Sequence, residues 1–147
     1  MSGIICAVRG GPASQPTIEK AIDLAKETNL LLRFLYVVNL DFLSHTQISR
    51  TSMILDELNQ MGEFILLTTQ EKAKRQGVNT EAVIRHGNVR EEIIELAKEI
   101  EADYVVLGLP VGEKEKNVFI MERIKEFGNL IEEESGAKIV LSGGDEL

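Results

Sequence analysis

The chain of 147 residues has no tryptophan, one cysteine, three prolines and two histidines. Each scarcity excludes something. A lone thiol, Cys6, forms no internal disulfide and no thiolate cluster for zinc. His45 and His86 are too few for a histidine-based metal centre, so no metal is expected. Aromatic residues make up 5% of the chain, too sparse for a base-stacking platform. Positive charge is also short: sixteen Lys and Arg face twenty-four Asp and Glu, a net charge of −8. A nucleic-acid partner would need clustered positive charge, so none is expected. Long apolar runs are missing. Runs such as residues 4–8, 30–32 and 35–38 are far below the ~20 residues of a membrane span, so no membrane partner is expected either. Met1-Ser2-Gly3 leads into an apolar run without a basic region or cleavage site, and no secretory leader is expected. The reading is an acidic, cytoplasmic chain forming one domain over residues 1–147.

What is present is a regular alternation. Residues 4–8 form an apolar run that stops at Arg9-Gly10-Gly11-Pro12, a buried strand followed by a turn. A helix over residues 17–28 places Ile18, Ala21, Ile22 and Ala25 on one face, with Asn29 as its C-terminal cap. Residues 30–38 read as a second strand, apolar nearly throughout and so covered on both faces. A long helix over residues 49–76 carries Ile54, Leu58, Met61, Ile65 and Thr68 at helical spacing. Met53, Met61 and Met121 read as core filler.

Residues 80–85 form a third strand, and His86-Gly87 turns the chain. Asn88 stands three residues before Glu91, as in a capping box, and opens a third helix with Val89, Ile93, Leu96, Ala97 and Ile100 on its apolar face. Residues 104–107 form a fourth strand ending at Gly108. A charged loop with Gly112 follows, then a helix with Ile120, Ile124, Phe127 and Ile131 on one face, then a fifth strand over residues 138–141. Five strands alternating with helices predict an α/β domain with a parallel sheet and helices on both faces.

Ligands of open parallel sheets sit outside the carboxyl ends of the strands, where the strand order reverses. Here those tips carry Arg9-Gly10-Gly11, Asn39, Asp41, His86-Gly87, Gly108 and Ser142. They lack the motifs of the common chemistries: no Gly-Lys-Ser/Thr for a nucleoside triphosphate, no G-x-G-x-x-G and no G-x-S-x-G. His86 beside a turn glycine reads as structural and Cys6, mid-strand, as an inert thiol. No constellation has the look of a catalytic centre, so no enzyme activity is expected.

The tips and loop spacings resemble the universal stress protein family over nearly the whole chain. The strongest stretch runs from His86-Gly87-Asn88-Val89 through Ile93, Ile94 and Ala97 to Ala102-Asp103-Tyr104-Val105-Val106-Leu107-Gly108. The resemblance implies strand order 3-2-1-4-5, a homodimer and a role in the stress response. Family members that bind ATP carry Asp at position 9 and Gly-x2-Gly-x9-Gly-Ser/Thr after strand four. This chain has Arg9 there, its second glycine is Gly112, one residue late, and the nearest downstream candidate is Gly128-Asn129 inside a helix. The expectation is a non-catalytic regulatory or binding module with a degenerate nucleotide site and no cofactor. The alternative is a nucleotide-binding protein, ATP included, with a non-standard phosphate loop. A flavin- or anion-dependent enzyme is a third, weaker reading. If a ligand binds, the resemblance places it at Val8, Arg9, Gly10, Val37 (adenine), Gly108 and Gly112, with Arg9 drawing a small anion or nucleotide. Ile139, Val140 and Leu141 of strand five form an apolar sheet edge and the expected dimer seam.

Overall fold

The computed structural model describes residues 2–10, 14–39, 48–108 and 118–142. The described residues form nine elements: β1 (Ile4–Ala7), α1 (Gln15–Thr28), β2 (Leu32–Asn39), α2 (Ile48–Arg75), β3 (Thr80–Gly87), α3 (Val89–Ile100), β4 (Tyr104–Gly108), α4 (Val118–Ser135) and β5 (Lys138–Ser142). All strand pairs are parallel, in the order β3-β2-β1-β4-β5. The alternating strand side chains sort the core into two layers. Ile4, Cys6, Phe34 and Val106 pack against Ile18, Ala21 and Ile22 of α1 and Leu66 and Ala73 of α2. Ile5, Leu35, Val105 and Leu107 pack against Ile93, Leu96 and Ala97 of α3 and Phe127 and Ile131 of α4.

Local chemistry sets the element ends. α1 starts at Gln15, two residues earlier than the apolar pattern suggests, because Pro16 has a fixed φ suited to a first helical turn. Asn29 closes α1 in the left-handed region (φ 60°), its amide donating to the Ala25 carbonyl. Asn88 caps α3: its side-chain oxygen accepts from the Glu91 amide at 3.1 Å. β3 does not stop at Arg85. His86 and Gly87 stay in the ladder opposite Val38 and Asn39, and His86 Nε2 lies 2.6 Å from Asn59 Oδ1 of α2. That contact ties the strand to its covering helix.

The seam of α2 departs from the apolar pattern. Met53, Met61, Phe64 and Leu67 are exposed, at 66%, 52%, 67% and 64%. Met53 and Met61 are therefore not core filler. The buried side is Gly62, Leu66, Thr69 and Ala73, rotated by about one residue. Gly62 is the reason. A Cβ there would meet the Tyr36 ring at 2.6 Å and Ile84 Cδ1 at 2.9 Å. Only a residue without a side chain lets the helix lie this close to β2 and β3, and a hydrophobicity count passes over it.

Two polar groups inside the fold are settled. Arg33 is buried, with Nε 3.1 Å from Glu81 Oε1 and a second nitrogen donating to the Ser2 carbonyl. Burial pushes the Cys6 thiol up to about 12, so it is protonated at neutral pH and inert as a nucleophile.

Candidate functional site

β1 lies between β2 and β4, so the chain runs outward from it in both directions and the strand order reverses at its carboxyl end. A cavity of about 450 Å³ opens there, within the range of small-molecule sites. Its floor is Ala7 at the end of β1 and Val8 after it, Leu35 and Val37 of β2, and Leu107 and Gly108 of β4. Ser14 and Thr17 close it on the α1 side, while Val89, Arg90 and Ile93 of α3 and Arg123, Ile124 and Phe127 of α4 close it on the other. The wall is largely aliphatic. The charge is all of one sign among the described lining residues: Arg9, Arg90 and Arg123.

Gly108 is where the site is tightest. A Cβ there would stand 2.5 Å from Thr17 Oγ1. That hydroxyl is buried and receives a hydrogen bond from Ser142 Oγ at 2.9 Å, joining α1 to the end of β5. Opposite, the Arg90 guanidinium carbon lies 4.9 Å from the centre of the Phe127 ring, a cation–π distance that holds Arg90 at the cavity wall.

Of the residues expected from the sequence, Val8, Arg9, Val37 and Gly108 come together around this cavity. Gly10 does not line it. It turns the chain after β1 at φ +85°, and its carbonyl accepts from the Ser14 hydroxyl at 3.1 Å. Gly112 lies outside the described residues. Gly128 lies within α4 and packs on Ile139, 3.4 Å from its own would-be Cβ, so it is no phosphate-loop glycine. Arg90, Arg123 and Phe127 are lining residues that sequence reasoning missed. One signal was available for Arg90. Positions 93 and 94, its neighbours one helical turn on, carry no acid, so no helix pair claims its charge. Among the described residues, no group of three or more His, Cys, Asp or Glu is placed to hold a metal ion. No helix among them is long and apolar enough to cross a membrane.

The architecture has known counterparts. A universal stress protein from Burkholderia pseudomallei is 22% identical, aligned over 95% of this chain and 94% of its own, with a TM-score of 0.68. The universal stress protein UspA of Lactobacillus plantarum is 18% identical over 95% and 97%, with a TM-score of 0.75. A universal stress protein from Archaeoglobus fulgidus, in complex with dAMP, is 12% identical over 97% and 98%, with a TM-score of 0.62. At these identities the likeness shows the fold. No protein of curated function matches the chain significantly. The model of the universal stress protein family matches residues 1–114, from before β1 to beyond β4. The match stops short of α4, which supplies Arg123, Ile124 and Phe127 to the cavity. With that match across most of its length, the chain belongs to the universal stress protein family.

Proposed function

We propose that the protein is a non-catalytic, cytoplasmic regulatory module of the stress response whose strand-tip cavity binds an adenine nucleotide. The observation that carries this reading is the cavity itself: an aliphatic floor for a flat, weakly polar base and a cationic rim for its phosphate. The Archaeoglobus fulgidus relative with dAMP supports the choice of ligand class. The titratable groups among the described lining residues are arginines, which stay protonated and serve poorly as general bases. The Ser14 hydroxyl is engaged by the Gly10 carbonyl. This donor set suits holding a ligand rather than turning it over.

Melting the purified chain with and without AMP and ATP tests the reading. Ligand at one hundred times its dissociation constant adds about 2.7 kcal/mol, which for a chain this long raises the melting temperature by roughly 5–10 °C. AMP is expected to give the larger rise. Magnesium-ATP is expected to bind weakly, because the chain has no Gly-Ser/Thr cradle for a polyphosphate. Phosphate release from ATP should stay at background. Unchanged melting with every adenine nucleotide would reject the nucleotide reading, and steady release would reject the non-catalytic one.

The assembly we propose is a homodimer through β5. Ile139 and Leu141 face the α3–α4 layer and Val140 faces the α1 layer, yet all three stay only half-buried. β5 is an outer strand of the sheet. Antiparallel pairing of two β5 strands about a twofold axis would pair the outer backbone edge, where the Ile139 amide donates to Glu132 Oε2 at 3.2 Å, and cover these side chains. Light scattering is expected to return about twice the 16.3 kDa chain mass. Leu141→Pro should bring it down: with the Lys138 amide turned to β4, alternation along the strand turns the Leu141 amide to the outer edge, where Pro removes a seam donor. A monomer mass for the unaltered protein at micromolar concentration would exclude this seam.

A further inference from the structure

We propose that the cavity takes its ligand's phosphate as a free anion, held by the guanidinium groups of Arg9, Arg90 and Arg123 with no divalent cation between protein and ligand. This rests on the nucleotide reading above and adds how the charged end is recognised.

The inventory of arginines carries it. The chain has seven arginines, and six of their side chains are described. Three of the six are ion-paired: Arg33 with Glu81 at 3.1 Å, Arg75 with Glu71 at 3.6 Å, and Arg85 with Glu99 at 2.7 Å and Glu92 at 3.7 Å. The other three, Arg9, Arg90 and Arg123, have no acidic partner among the described residues, and all three line the same cavity. Twenty-four acids face sixteen bases in the chain, and the three described arginines without a described acidic partner share one cavity.

The three arrive from separate elements. Arg9 follows β1, Arg90 is in the first turn of α3, and Arg123 is on α4. Phe127 gathers two of them: Arg90 lies over its ring, and Arg123 is four residues before it, on the same helix face. Like charges brought to one cavity repel, and an anion relieves that repulsion. A planar guanidinium offers paired donors that match phosphate oxygens. A nucleotide-bound magnesium ion usually takes one or two protein carboxylates as well. The described lining has no Asp or Glu, so the arginines stand where the metal's charge would otherwise be needed. The ligand class is thus an organic monophosphate, its body against Val37, Ile93 and Leu107 and its dianion at the rim.

Calorimetric titration of the full chain with AMP and with inorganic phosphate, each in EDTA and in magnesium chloride, decides it. AMP is expected to bind equally well in both, within about twofold. Arg9→Met, Arg90→Met and Arg123→Met are each expected to weaken AMP by at least about tenfold. Their ligand-free melting temperatures should change little, since all three side chains are exposed. Arg90→Lys and Arg123→Lys should recover only part of the loss, keeping the charge without the paired donors. AMP binding that EDTA abolishes, or that survives all three Met substitutions, would overturn this inference and leave the nucleotide reading standing. Inorganic phosphate binding that the Met substitutions remove, with no added affinity for AMP, would uphold the arginine site and overturn the nucleotide reading. No binding of either probe would overturn both.

Discussion

Phe34→Ala is expected to be the most damaging single truncation in the sheet. Phe34 is fully buried in β2, paired in register with Cys6 of β1 and Ala82 of β3. It packs in the layer beneath α1 and α2. Removing its ring should lower stability by about 3–5 kcal/mol, part lost transfer and part cavity. A domain holds about 5–15 kcal/mol in all, so the melting temperature should fall by roughly 10–15 °C. Urea unfolding is the measurement: the midpoint should drop with an unchanged slope. A loss under about 1 kcal/mol would mean that the neighbouring layer collapses into the space, contrary to the close packing of this core.

The second large effect is expected at Gly108. Any side chain there starts 2.5 Å from Thr17 Oγ1, and Thr17 is buried at 4% exposure. The hydroxyl is not the free end of a flexible chain. It is fixed by Ser142 and by its place in the first turn of α1. Gly108→Val must push β4 and α1 apart or break the Thr17–Ser142 bond. Overpacking and a stranded buried hydroxyl together should lower stability by about 2–4 kcal/mol. Because Gly108 also lines the cavity floor, affinity for the proposed nucleotide should fall in parallel. Thr17→Ala tests the cause: in the double variant the Gly108→Val loss should shrink, as coupled neighbours do in a double-mutant cycle. Strictly additive losses would reject the contact as the origin.

These two residues also mark what the amino-acid sequence tells a reader and what it withholds. Phe34 lies in an apolar run long enough to announce a covered strand, and every strand and helix of the fold is visible through runs or periods of that kind. Val8, Arg9 and Gly108 are legible too, because strand tips of an open α/β sheet are the expected place for a ligand and they sit at those tips. Val37 came from the family resemblance. The seam of α2 was not legible, since it is set by what Gly62 lacks. Arg90 and Arg123 stand 33 residues apart on two polar helix surfaces. Nothing local distinguishes Arg123 from a solvated surface charge, with Glu126 a turn away. Arg123 is one turn from Phe127 on α4, but only the strand order and the two helices on one face bring Arg90 to the same ring. Tip residues are properties of an element, whereas a converging trio is a property of the topology.

The central position of β1 has a consequence for how the protein is made. Its partners lie on either side: Ile4 sits beside Leu32 of β2 and beside Tyr104 of β4. The Gly3 amide donates to the Asp103 side chain, 100 residues away. A ribosome adding about 5–20 residues per second emits β4 some 5–20 s after β1. Through that interval Ile4-Ile5-Cys6-Ala7, a strand without a single charge, has one edge unpaired while the chain is still being synthesised. Pairing so distant in sequence also slows the search for the native sheet. The nascent chain therefore spends its riskiest seconds with its most apolar strand open to other chains. Changes in β4 that weaken its union with β1 would first be felt as lost soluble yield, before any effect on the finished protein.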